Sequence, residues 1–159
     1  MIIYSFAMQS IESELQRERK ENYMIRPIVH DPFFLVQKSE PATAIDKEVI
    51  TDLLDTLRAH LDGCVGMAAN MIGVKKRIIV FCRGNRQIIM VNPEITAKFG
   101  EYETEEGCLS LSGVRKTKRF RKITVTYQDQ DFRAKTGTYD GYTAQIIQHE
   151  IDHCDGIVI

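Results

Sequence analysis

The chain's last eleven residues read HEIDHCDGIVI, from His149 to Ile159. On a helix that advances ~100° per residue, His149 and His153 lie ~40° apart on one face, so two imidazoles can grip one ion. Glu150 stands beside them, close enough to exchange a proton with water that the ion polarises, without itself being a ligand. This is the chemistry of a metal-dependent hydrolase. The plain alternative is that so short a pattern arose by chance and the histidines are ordinary polar residues on a surface helix.

The third protein ligand decides between these readings. Extended zinc-protease patterns place a third histidine six residues after the second, with a glycine between, as HExxHxxGxxH. Gly156 is in place, but the terminal position is Ile159. A third ligand is therefore expected upstream, among Cys64, Cys82, Cys108, Cys154, His30, His60 and the acidic residues. Cys82 ends an apolar run and reads as core, and Cys154 projects ~100° around the helix from His153. His30 and His60 are lone histidines and read as structural. Cys108 stands out because it lies in EEGCLSLSG, where a glycine allows close backbone approach and the following N–H groups could point at a bound oxygen. One thiolate and two imidazoles leave a fourth position for solvent, as catalytic sites do.

Several elements must position these groups. Ile45, Val49, Ile50, Leu53, Leu54, Leu57 and Leu61 recur at helical spacing, with Thr43 as N-cap and Gly63 as stop, which predicts an amphipathic helix near residues 44–62. RIIVFC (77–82) and QIIMVN (87–92), separated by RGNR, predict a β-hairpin, and ITVTYQD (123–129) alternates as a strand. A last helix is expected from about Thr143 through His153, stopped by Gly156, with IVI as a final short strand. MIRPIVHDPFFLVQKSEPAT is punctuated by three prolines and predicts an extended, wrapping segment. Residues 5–23 carry Ile11 and Leu15 among charged residues, so residues 1–23 read as a helical appendage to a single domain spanning 24–159. Strands in the middle with helices early and late give the α+β class, with antiparallel or mixed β-sheets packed around a central C-terminal HExxH helix.

Composition excludes other classes. A chain of 159 residues with 43% hydrophobic and 27% charged residues is an ordinary globular domain with no membrane span. The N-terminus lacks the positive charge and small-residue cleavage site of a secretory signal, so the cytoplasm is the expected location. Four irregularly spaced cysteines make no disulfide framework. A net charge of −1 argues against a nucleic-acid partner. The basic run RKTKRFRK (Arg115 to Lys122) is expected to be the solvated face of a strand balanced by ETEE (Glu103 to Glu106). The other reading of that run is a patch facing RNA or a peptide carboxylate.

EGCLS (Glu106 to Ser110) and QHEIDH (Gln148 to His153), about forty residues apart, together with CVGMAANM (Cys64 to Met71), which is similar to GxGxAAxQ, resemble the blocks of peptide deformylase in that family's order. The family is the metalloenzyme that removes the formyl group from the starting methionine of new bacterial proteins. The resemblance runs from about Met24 to the end. It implies that Cys108, His149 and His153 bind one divalent metal ion, ferrous iron in the cell with Zn2+ or Ni2+ as substitutes, and that Glu150 is the general acid/base. It implies an oxyanion donor in the backbone N–H of Leu109, and a second in the glutamine that ends GxGxAAxQ. Here that glutamine is Met71, a thioether that cannot donate, and the first glycine is Cys64, so reduced activity is expected. The further readings are an amidase for a different N-acyl group and a silent paralogue that binds metal or peptide. Val65, Tyr142 and Ile146 fit the family's methionine pocket, with Gly66 and Met71 beside it, though they could equally be core. Gln145 lies on the same helical face, and Arg115 matches by spacing an arginine at the peptide cleft. The expected partner is an N-formyl (or other N-acyl) peptide or nascent chain near the ribosome, with the family's docking helix expected to be absent.

Overall fold

The structure is a computed structural model that describes Ile11, Ser13, Glu14 and residues 23–159. The expected N-terminal helix over 5–23 lies outside the described residues except at Ile11, Ser13 and Glu14, which are helical.

Five strands form one antiparallel sheet in sequence order: β1 (Gly66–Ala68), β2 (Ile78–Arg83), β3 (Arg86–Cys108), β4 (Leu111–Gln128) and β5 (Ala134–Asp140). A helical turn, α1 (Pro32–Leu35), and a long helix, α2 (Lys47–Ala59), precede the sheet, and α3 (Gly141–Cys154) follows it. The α+β class expected from the sequence is this arrangement.

The sheet is covered on both faces where it matters. Successive side chains of a strand point to opposite faces. Ile79 and Phe81 of β2 accordingly join Met90, Ile123, Val125, Ile147 and Ile151 in a core shared with α3. Ile78 and Val80 join Ile50, Leu53, Leu57, Met67 and Met71 in a second core beneath α2. Burial on both faces explains why β2 reads as a continuous apolar run and does not alternate. The β2–β3 turn is closed by two residues between paired Arg83 and Arg86, and Gly84 takes φ +59°, as the first central position of a type II′ turn requires.

Four local expectations need correction. The amphipathic helix begins at Lys47, because Ala44–Asp46 form a 3-10 turn in which the Asp46 carboxylate accepts from the Thr43 N–H at 2.8 Å. The tighter winding turns Ile45 outward, 92% exposed, and Leu61 lies beyond the helix end. The proline-punctuated segment is extended as expected, with Glu40 bridged to Lys76, except for one helical turn that starts after Asp31. There the Asp31 side chain caps the Phe33 N–H at 2.9 Å and Pro32 enters α1 at a position that needs no donor. The basic run is not solvated throughout. Lys116 and Lys118 face solvent opposite Glu105 and Glu103, but Arg119 has the other parity and is 4% exposed. Finally, 157–159 form no strand: the Ile157 N–H closes the end of α3 on the Asp152 carbonyl at 2.9 Å.

Gly156, at φ +72°, makes that closure possible, and a Cβ there would stand 2.3 Å from the Val36 carbonyl oxygen. Gly156→Ala is expected to destabilise the protein by about 2 kcal/mol or more, measured by denaturant unfolding.

Candidate metal centre and active-site cleft

The longest hairpin delivers a sulfur to the last helix. β3 and β4 pair from Val91↔Gln128 to Cys108↔Leu111, so Cys108 sits where the ladder ends and Leu109–Ser110 link the strands. The register is irregular between Gly107 and Cys108, which re-aims the cysteine at the hairpin tip. The Ser110 N–H donates to its sulfur at 3.4 Å, and His30 Nδ1 meets the Ser110 carbonyl at 3.0 Å, pinning the tip from the N-terminal segment.

α3 presents the two imidazoles on adjacent turns, their ring centroids 5.1 Å apart. Cys108 Sγ is 3.2 Å from His153 Nε2. One donor atom each from Cys108, His149 and His153 all fall within 4.8 Å of one another. Tetrahedral ligands at about 2.0–2.3 Å from an ion stand at such separations, and a sulfur with two imidazoles is a donor set suited to Fe, Zn or Ni. Among the described residues this is the group of histidine, cysteine or acidic side chains so arranged. The chemistry of the donor set therefore fits one divalent ion.

Glu150 lies alongside. It is buried, and its Oε2 has no hydrogen-bond partner, so burial pushes its carboxyl up to about 7. Gly66 admits it: a Cβ at that position would stand 2.7 Å from Glu150 Oε1 and 2.8 Å from the Ile146 side chain. The two imidazoles are held differently. Burial pushes His153 down to about 3, whereas for His149 the opposing burial is outweighed by Cys108 and Glu106, which hold it up at about 10.

Behind His149 runs a chain of buried charges that the sequence reading did not single out. Glu106 Oε1 lies 3.6 Å from His149 Nδ1. Arg119 grips Glu106 at 2.6–2.7 Å and reaches Asp152 at 2.6 Å with its other nitrogen. Burial opposes ionisation of Glu106, but His149 and Arg119 prevail and hold it at about 2. The available signal was strand parity: Arg119 and Glu106 share one face of the hairpin, opposite to Lys118 and Glu105. Two amides complete the frame. Gln148 exchanges both hydrogen bonds with the Phe120 backbone at 2.9 Å, just past the point where β5 stops pairing with β4. Asn70, the neighbour of Met71, donates to the His153 carbonyl at 2.9 Å.

A cleft of about 280 Å³ opens over these groups, lined by Cys108, Leu109, His149 and Glu150 together with Val65, Gly66, Met71, Tyr142, Gln145 and Ile146. Arg115 is not among its lining residues; its guanidinium donates to the Ser112 carbonyl at 3.5 Å. Cys64 lines the cleft too, but its thiol donates to the Gly66 carbonyl at 2.8 Å and burial pushes it up to about 12. The Met71 sulfur is turned to the Ala68 N–H at 3.5 Å.

The charge chain makes a testable demand. Arg119→Met would leave Glu106 and Asp152 buried without their cation, and is expected to cost about 3–5 kcal/mol in unfolding free energy. The variant should also bind Zn2+ about 10–100-fold more weakly in chelator competition.

Comparison with known proteins agrees with this geometry. The family model described as polypeptide deformylase matches residues 25–159. A peptide deformylase of Clostridium beijerinckii is 62% identical over 136 residues, which are 86% of this chain and 100% of that protein. The structure of a peptide deformylase from Legionella pneumophila superposes with a TM-score of 0.75 at 37% identity, covering 83% of this chain and 82% of that one. The peptide deformylase structure from Thermus thermophilus gives 0.75 at 35% identity, covering 84% and 83%. The chain belongs to the polypeptide deformylase family.

Proposed function

We propose that the chain removes the formyl group from N-formylmethionyl peptides, with Cys108, His149 and His153 holding one divalent ion and Glu150 handling the proton. The observation that carries the reading is the convergence of a hairpin-tip thiol on two imidazoles, with a buried, unpartnered carboxyl in the wall of the same cleft. The ion would supply a Lewis acid that acidifies water and polarises a carbonyl oxygen. The proposed ion in the cell is ferrous iron, with Zn2+ or Ni2+ as substitutes.

The chain's own residues supply the remaining chemistry. Glu150, its carboxyl raised to about 7, accepts a proton from the attacking water and returns it to the departing amine, so that formate and a free N-terminus are the products. Gly66 keeps the carboxyl against the cleft wall. Leu109 lies in the link outside both ladders, which leaves its N–H available to the oxyanion. Met71 lines the cleft, but a thioether cannot donate and its sulfur is turned to the Ala68 N–H, so one stabilising hydrogen bond to the oxyanion would be missing and turnover slowed. Val65, Gly66, Met71, Tyr142 and Ile146 line the space beside the reacting carbonyl, and we assign them to peptide binding; Arg115 would act only on the part of a longer peptide outside the cleft.

Release of formate from formyl-Met-Ala-Ser by anaerobically prepared, Fe2+-loaded protein tests the activity. Glu150→Gln is expected to lower that rate by about 10²–10⁴ while metal content stays at one ion per chain. Loss of metal together with rate would assign Glu150 a structural place instead. Met71→Gln is expected to raise kcat at least about tenfold, since a single oxyanion donor contributes ~10²–10³ where it is well placed. An unchanged kcat would mean that Met71 is not what limits turnover.

A further inference from the structure

The cleft wall contains a polar group that neither metal binding nor proton transfer uses. Gln145 lies one helical turn before His149 and lines the cleft between Tyr142 and Ile146. Its amide is oriented from two sides. The Tyr102 hydroxyl donates to Oε1 at 3.2 Å, and Nε2 donates to Glu106 Oε2 at 3.4 Å. A carboxylate can only accept, so Glu106 fixes which end of the amide carries the nitrogen. Tyr102 is itself held by the Arg121 guanidinium 5.0 Å above its ring, and Glu106 by Arg119. Nε2 carries two hydrogens; one goes to Glu106, and the second has no acceptor among the described residues. A hydrogen-bond donor held by two neighbours thus stands beside the side chains of Tyr142, Ile146 and Val65, in a cleft that Glu106 also lines.

We infer that Gln145 is a specificity-determining residue that reads an acceptor atom on the side chain of the peptide's first residue. The inference rests on the deformylase reading above and deepens it. In a formylmethionyl peptide the sulfur is five bonds from the formyl carbon, a reach of about 6 Å when extended. Residues four apart on a helix stand at about 5–6 Å. From a carbonyl carbon beside His149 and Glu150, a side chain that runs along the helix toward its N-terminus therefore reaches Gln145. A thioether accepts weakly, whereas the oxygen of a methionine sulfoxide accepts strongly and occupies a similar position. A methylene, as in norleucine, accepts nothing and would leave the amide hydrogen dry and unpaired. The pocket thus selects methionine over an apolar side chain of the same length, and admits a first methionine that has been oxidised.

The test compares kcat/KM for formyl-Met-Ala-Ser, formyl-norleucyl-Ala-Ser and formyl-Met(sulfoxide)-Ala-Ser on the metal-loaded wild type, Gln145→Leu and Tyr102→Phe. The wild type is expected to favour methionine over norleucine by about three- to tenfold, and to accept the sulfoxide within about tenfold of methionine. In Gln145→Leu the first preference should fall to about one, and the sulfoxide should lose about a further tenfold relative to methionine. Tyr102→Phe keeps the amide but removes the hydroxyl that orients it, so both ratios should move the same way by a smaller factor. Ratios unchanged in a folded, metal-loaded Gln145→Leu would overturn the inference and leave the deformylase reading intact. A wild type that turns over none of the three peptides would overturn both.

Discussion

Arg119 is the contact on which the site depends. It is a buried cation clamped between Glu106 on the strand that ends at Cys108 and Asp152 on the helix that carries both histidines. Removing the cation would leave two carboxylates uncompensated in the interior, which is far more costly than losing a surface pair. The clamp therefore joins two parts of the chain that must meet for a metal site to exist: the tip of the β3–β4 hairpin and the face of α3. Glu106 passes the constraint onward to the Nδ1 side of His149, so the same pair that docks the helix also orients one imidazole.

Around that clamp the structure places each group by backbone means. Gln148 substitutes for a missing strand partner at Phe120, and Asn70 ties the turn after β1 to the end of α3. Gly66 lets β1 approach close enough that Glu150 packs on bare backbone. The result is a cleft with a thiol, two imidazoles and a raised carboxyl on one side and a mixed wall of Tyr142, Gln145 and Ile146 on the other. Dry surroundings strengthen every electrostatic interaction there, which is how a carboxyl comes to hold its proton near neutral pH.

Much of this was legible in the sequence, for definite reasons. The i, i+4 spacing of His149 and His153 has one geometric meaning on a helix, and α3 realises it. The apolar periodicity through Ile50, Leu53 and Leu57 is deep in the second core, as its spacing demands. What escaped were features set by tertiary pairing. Ile45 fits the helical period by number but falls in a 3-10 turn. Arg119 is hidden inside a run of eight residues of which six are basic, and only the hairpin register separates the inward parity from the outward one. No periodicity in a single strand reports what faces it. Gln145 was seen as a residue on the cleft-facing side of the helix, but its orientation comes from Tyr102 and Glu106, both on β3, and so was not readable locally.

The central claim is that one sulfur and two imidazole nitrogens hold a single divalent ion with a coordination position open to solvent. X-ray absorption at the zinc edge of protein loaded with one Zn2+ per chain examines this most directly. The account predicts one sulfur scatterer at about 2.3 Å and two imidazole nitrogens at about 2.0–2.1 Å, with the sulfur shell lost in Cys108→Ala. A first shell without sulfur in the wild type, or a sulfur that persists in Cys108→Ala, would contradict it.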